Sequence, residues 1–330
     1  MRGRLSSELT NCWDWKLRRN NFDRMFPRLN GQEYAAGPML ASDHLAHLMN
    51  LPLSDICRSG RLLAEGLLKA ADLYGTDFTI VFSDVSVETE AMGVEMQFFP
   101  DGNPQPVKHL PLSAIKPVKL PGKGRLPELF NAAEIIRREK GEDYTIFFST
   151  KDALSLAAMT LGTEEFLMSL ALEPEQAAEA LEICCEALES LVREICREGY
   201  IPMIGAPIAS GDLIGGKYFS RFAAPWLGRL FEIAREEGSF ACTHICGSVG
   251  NLLEPLSHIQ PDVLSMEDYA AAVNFKMFLP ETMLMGVWVV TLSTTANLAL
   301  CSTGTLACAT PLGIRPRQEC LGYIVGRCCL

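Results

Sequence analysis

Phe240-Ala241-Cys242-Thr243-His244-Ile245-Cys246 is a short, mostly apolar run that follows Gly238 and stops at Gly247. It reads as one strand of a buried parallel sheet, because such strands are covered on both faces and lose the apolar/polar alternation of half-exposed ones. Similar runs recur outward from it in both directions, at Gly37–Leu40, Phe78–Phe82, Tyr144–Phe148, Ile201–Ala206, Asp262–Met266, Thr282–Val287 and Leu321–Val325. Helical patterns fill most of the gaps: Arg58–Leu73, Pro127–Lys140, Pro174–Gly199, Tyr218–Gly238 and Asn251–Ile259. Pro127 stands where a helix starts, and Gly141 and Gly238 where helices stop. Eight strands alternating with helices predict an α/β fold of the (β/α)8 TIM-barrel type. An open doubly wound sheet is the weaker reading, since no G-x-G-x-x-G or G-x-x-x-x-G-K occurs.

The sequence has 330 residues, 48% of them hydrophobic, enough for a large core. Residues 37–330 read as a single barrel domain and 1–36 as an N-terminal helical extension. The long segment Phe82–Pro121, with Met96-Gln97-Phe98-Phe99 followed by Pro100-Asp101-Gly102, reads as a strand and turn projecting over the barrel mouth. A net charge of −11 argues against nucleic acid as a partner, because a phosphate backbone is bound through cationic surface. Thr282–Ile314 carries no charge, but Ser293, Thr294, Thr295, Asn297, Ser302, Thr303, Gly304 and Pro311 interrupt it. It reads as a buried strand and the helix after it rather than a membrane span. Met1–Asn20 lacks the apolar segment of a secretory signal, so a cytoplasmic location is expected. Twelve cysteines then suggest reduced thiols or metal ligands.

Thr243-His244-Ile245-Cys246-Gly247 ends the predicted fifth strand. Residues two apart on a strand share a face, so His244 and Cys246 should converge where barrel active sites lie, at the C-terminal strand ends. Imidazole with thiolate suits zinc. A buried histidine beside a buried cysteine is the ordinary alternative, because free cysteine is commonly interior. A third ligand should come from another strand end. Cys328 and Cys329 follow the predicted eighth strand, with Cys329 favoured, while Cys320 precedes it, at the other end of a parallel barrel. Glu267, ending strand six, could fill a fourth position that a catalytic zinc keeps exchangeable.

Other strand ends carry further candidates. Asp84 ends strand two and is a catalytic or ligand-binding carboxylate, or a loop cap. Glu88 and Glu90 follow it more weakly. Ser210 and Asp212, in Ala209-Ser210-Gly211-Asp212, could bind substrate where glycine admits a close approach, or cap the next helix.

Phe82-Ser83-Asp84, Glu88-Thr89-Glu90-Ala91-Met92-Gly93, Ala209-Ser210-Gly211-Asp212-Leu213-Ile214 and Thr243-His244-Ile245-Cys246-Gly247 together resemble the uroporphyrinogen decarboxylase superfamily, from about Gly37 onward. Within it the chain looks like the zinc-dependent, corrinoid-linked methyltransferases, the methylcobalamin:coenzyme M methyltransferase branch. That resemblance implies zinc on His244, Cys246 and the distant Cys329, with Asp84 at the decarboxylase's pyrrole-binding position. It implies transfer of a methyl group between methylcobalamin and a thiol acceptor. No D-x-H-x-x-G corrinoid signature is present, so the cobalamin should arrive on a partner corrinoid protein. Alternatives are a methyl-donor:corrinoid protein methyltransferase (an O- or N-demethylase component) acting on a methylated substrate, a porphyrinogen decarboxylase, and a tetrapyrrole-binding protein. Two departures stand out. The decarboxylase's arginine-rich N-terminal motif is not visible. The tail beyond Val287 has five cysteines and only Arg315, Arg317, Glu319 and Arg327 as charges, which makes a barrel without its usual last helix the expectation.

Overall fold

A computed structural model describes residues 21–29, 34–37, 42–288 and 322–326. In chain order its strands are β1 (Tyr34–Gly37), β2 (Phe78–Val81), β3 (Met96–Phe99), β4 (Gly102–Pro106), β5 (Thr145–Lys151), β6 (Ile201–Gly205), β7 (Cys242–Ile245), β8 (Val263–Met266), β9 (Met283–Trp288) and β10 (Gly322–Gly326). The main sheet has the order β1-β10-β9-β8-β7-β6-β5-β2. From β2 through β5, β6, β7 and β8 to β9 every neighbouring pair is parallel, and helices connect successive strands. This parallel half is TIM-barrel-like. Among the described pairings the ring does not close. β1 and β2 meet only at one end, where Asp77 N donates to Ala36 O (2.6 Å) and Ala36 N to Asp77 Oδ2 (2.8 Å).

Two expectations change. The first strand is Tyr34–Gly37, three residues earlier than Gly37–Leu40, and a side chain at Gly37 would collide with the Phe78 ring. β10 occupies the predicted eighth run but lies antiparallel to both β9 and β1. An apolar run such as Tyr323-Ile324-Val325 carries no direction, so periodicity could not supply it. The consequence is geometric. Gly322 pairs with Trp288 and Gly326 with Leu284, so β10 starts at the end where the parallel strands finish. The placement of Cys320 at the far end and of Cys329 beside His244 assumed a parallel last strand. All three tail cysteines lie outside the described residues.

The core has two parts. Phe78, Ile80, Phe147, Met203, Cys242, Val263, Met283 and Met285 point into the barrel, where Phe22, Met25 and Phe26 plug its lower end. Thr145 Oγ1 donates to Met25 O (2.5 Å) at the start of β5, which fixes that end. Phe78 packs on Phe147 with ring centres 5.3 Å apart and on Phe26 at 5.6 Å, and truncating such a ring costs about 3–5 kcal/mol. The alternate residues Val81, Ile146, Phe148, Ile204, Ile245, Leu264 and Met266 face outward against the helices.

The predicted helix Tyr218–Gly238 is two helices, Gly215–Phe222 and Ala224–Glu236, because Pro225 has no amide hydrogen to continue the first. Helices Ala153–Leu161 and Thr163–Leu172 escaped the amphipathic reading. The first is buried nearly all round and so has no polar stripe. The excursion after β2 is a hairpin of β3 and β4. No helix among the described residues is long and apolar enough to cross a membrane. Cys57, Cys184, Cys185, Cys196, Cys242 and Cys246 are free thiols.

Candidate functional site

The register of the parallel strands arranges the inward side chains in rows. Met203, Cys242, Val263 and Met283 are aligned across β6 to β9 and form an apolar floor. One step nearer the C-terminal ends, Lys151, Gly205, His244, Ser265 and Met285 are aligned across β5 to β9. Cys246 and Glu267 stand just above this row. The polar site thus sits on a dry base at the strand ends, where barrel enzymes place their chemistry.

His244 Nδ1 lies 2.9 Å from Ser265 Oγ, and Nε2 lies 3.2 Å from Cys246 Sγ. The serine contact can take the Nδ1–H, which leaves the Nε2 lone pair aimed toward the sulfur, as metal-binding imidazoles are commonly oriented. A tetrahedral zinc, with bonds of about 2.0–2.1 Å to nitrogen and about 2.3 Å to sulfur, sets two such ligand atoms roughly 3.5 Å apart. The pair fits zinc after opening by a few tenths of an ångström. Burial lowers the His244 pKa against the opposing charge of Glu267, and burial followed by Glu267 raises that of Cys246. Both groups are therefore held neutral, and a bound cation is what would make this thiol a thiolate. Among the described residues no three His, Cys, Asp or Glu side chains converge as a metal-holding group.

Three carboxylates clamp the loop after Cys246. Gly247 N donates to Glu267 Oε1 (2.8 Å) and Ser248 N to Asp212 Oδ2 (2.7 Å). Val249 N and Gly250 N donate to Asp268 Oδ2 at 2.8 and 3.1 Å. Asp268 also caps the helix Tyr269–Phe278 by accepting from Ala271 N (3.0 Å). Gly247 has φ +66, and a Cβ there would lie 2.7 Å from Asp212 Oδ2 and 2.8 Å from Ser210 Oγ. Ser210 Oγ accepts from Asp212 N (3.2 Å). The structure brings Ser210, Asp212, His244, Cys246 and Glu267 together, with the carboxylates holding backbone.

Asp84 lies at the end of β2, across the mouth. It is 2% exposed and every oxygen is engaged: Ser83 Oγ at 3.0 Å, Ser86 N at 2.8 Å, and Arg125 Nη1 and Nη2 at 2.5 and 3.2 Å. Burial alone would raise its pKa, but the Arg125 guanidinium and Ser86 outweigh that and bring it to about 2. Arg125 also meets Glu90 (2.6 Å) and donates to Cys57 O (2.8 Å), and its guanidinium stacks 4.8 Å over Phe98 of the β3–β4 hairpin. Glu88 pairs with Lys151 (2.8 Å). Sequence reasoning missed Ser265, Lys151 and Arg125. A polar residue in register with His244 marks the first, and a lone charge ending an apolar strand marks the second. Arg125 gave no signal because its partner is distant in sequence.

A TIM-barrel-like sheet with a polar site at its C-terminal strand ends is an enzyme scaffold. Residues 29–288 match the uroporphyrinogen decarboxylase (URO-D) family, and the chain belongs to that family, whose members include methyltransferases and decarboxylases. It is 24% identical over 213 residues to the methylcobamide:CoM methyltransferase of Methanosarcina barkeri (strain Fusaro / DSM 804), covering 63% of this chain and 62% of that protein. It is 24% identical over 219 residues to a uroporphyrinogen decarboxylase of Thermodesulfovibrio yellowstonii, covering 64% and 63%. The chain thus spans just under two thirds of these relatives. A solved methyltransferase from Methanosarcina mazei shares the fold, with a TM-score of 0.69 at 23% identity over 79% of this chain and 80% of that one.

Proposed function

We propose that this chain is a zinc-dependent methyltransferase moving a methyl group between a corrinoid carried by a partner protein and a thiol acceptor. The observation that carries this reading is the His244–Cys246 pair, 3.2 Å apart at a strand end, with the imidazole oriented by Ser265. Zinc on these groups would hold the acceptor thiol as thiolate. A free thiol of pKa ~8.5 is mostly protonated at neutral pH, and full ionisation is worth about 2 kcal/mol. The protein's part is to bind, orient and dry the site. Ser265 holds the ring, the floor of Met203, Cys242, Val263 and Met283 excludes water, and Asp212, Glu267 and Asp268 fix the loop that carries Cys246. A third ligand is sought among Cys320, Cys328 and Cys329. Resemblance to methylcobamide:CoM methyltransferases supports the corrinoid partner, and the cysteine beside the histidine favours zinc chemistry over metal-free decarboxylation.

Zinc content measured with methylcobalamin demethylation by several thiols tests the proposal. About one zinc per chain is expected, lost in His244→Ala and Cys246→Ala. Protein that takes up no stoichiometric metal from zinc-supplemented buffer would refute it and leave porphyrinogen decarboxylation to be assayed.

A further inference from the structure

The turns that lead into β5, β6 and β7 enclose a cavity of about 220 Å3 at the base of the barrel, the end opposite His244 and Cys246. Protein interiors pack closely and leave few hollows larger than a water molecule. The inner wall is apolar, with Met25, Ile146, Tyr200 and Phe240 buried along it. The rim is charged, and with both signs. Arg24 stands on one side, its guanidinium 5.0 Å over the Phe240 ring, with Gly238 O at 3.4 Å as its one acceptor among the described residues. Glu142 and Asp143, in the turn before β5, are exposed at the rim, and neither makes a hydrogen bond or ion pair with a described residue. Glu237 also lines the cavity, but Arg193 and Arg197 hold its carboxylate at 2.9 and 3.0 Å. One guanidinium and two carboxylates thus keep unused hydrogen-bonding capacity around an apolar hollow.

We propose that this cavity binds a small zwitterion of the amino-acid type, with its carboxylate on Arg24, its ammonium at Glu142 and Asp143, and an apolar side chain inside against Met25, Ile146 and Phe240. An acid without the ammonium would set a like charge near two carboxylates, and an amine without the carboxylate would set one near Arg24. A molecule carrying both charges finds an opposite partner for each. An apolar interior with a few convergent polar groups is the usual construction of a small-molecule site, and about 220 Å3 lies below the ~300–1,000 Å3 of drug-sized ones. The bound molecule would tie residues 21–25 to the turns before β5 and β7, reinforcing the contact that Thr145 Oγ1 makes with Met25 O. The site uses the starts of the strands and is independent of the zinc reading at their ends.

L-Leucine, 4-methylpentanoate and 3-methylbutan-1-amine share a branched chain and differ in charge, and their affinities for the full chain are measured by ligand-observed NMR titration. Leucine should bind about fivefold or more tighter than either analogue, as one part-exposed ion pair allows. Arg24→Gln should bring leucine to within about twofold of the amine and leave the amine no weaker. Glu142→Gln combined with Asp143→Asn should bring leucine to the level of the acid and leave the acid no weaker. All three positions are exposed, so these variants keep the fold, which circular dichroism checks. His244→Ala should bind leucine as the unmodified chain does. Leucine that does not bind, that binds no tighter than both analogues, or that keeps its advantage in both variants overturns the proposal. Binding lost in His244→Ala would place the ligand at the mouth and overturn it as well.

Discussion

Asp84→Asn tests whether the buried ion pair at the mouth holds the scaffold together. In the folded chain the carboxylate is 2% exposed and accepts hydrogen bonds from Ser83, Ser86 and Arg125, two of them from the guanidinium. A carboxyl lowered from 3.8 to about 2 corresponds to about 2.5 kcal/mol of folding stability at neutral pH. Removing one partner of a buried pair also strands the other, and such changes cost about 3–5 kcal/mol. Arg125 keeps Glu90, so the expected loss is about 2–4 kcal/mol. The folded pKa is the depressed one, so this stability is present above pH 4 and lost as pH falls through about 2. Urea unfolding of both proteins between pH 7 and pH 2 should show a difference that is constant at the upper end and shrinks on acidification. A difference below about 1 kcal/mol at pH 7, or one that does not shrink in acid, would refute the assignment of a stabilising pair. Zinc binding should survive the substitution, because Asp84 touches neither His244 nor Cys246.

Ser265→Ala should weaken zinc binding about tenfold to a hundredfold while leaving the fold intact, measured by competition with a chromogenic chelator, since only the ring's orienting contact is removed. Gly247→Ala should destabilise by about 1–3 kcal/mol in thermal or urea unfolding, because a side chain there meets both a positive φ and the Asp212 carboxylate. Cys320→Ser and Cys329→Ser should differ in zinc content. Zinc loss in Cys329→Ser but not in Cys320→Ser is expected if Cys329 is the third ligand, and full zinc content in Cys329→Ser would refute that assignment.

Much of the scaffold was legible because buried parallel strands are apolar throughout. The runs at Phe78, Ile201, Phe240 and Asp262 correspond to β2, β6, β7 and β8 within a few residues. The His244–Cys246 approach was legible for the same reason, since alternation along one strand is a local property. Ser265 was not. It faces His244 only because β7 and β8 pair with these two residues opposite, and one step of slippage would turn it outward. Arg125 meets Asp84 across 41 positions of chain, a distance no spacing rule spans. Asp212, expected as a substrate contact or helix cap, accepts from Ser248 N, a partner that exists only once two loops meet.

The sequence by itself determined the inward face of β7, the acidic charge that disfavours nucleic acid, and the apolar runs that became the parallel half of the sheet. These depend on side-chain periodicity and composition, which are written in the order of residues. Tertiary structure alone decided the direction of β10, the row that joins Lys151, Gly205, His244 and Ser265, and the pairing of Asp84 with Arg125. Those depend on hydrogen-bond register and chain direction between segments far apart in sequence, and an apolar run reads the same whichever way its strand enters the sheet.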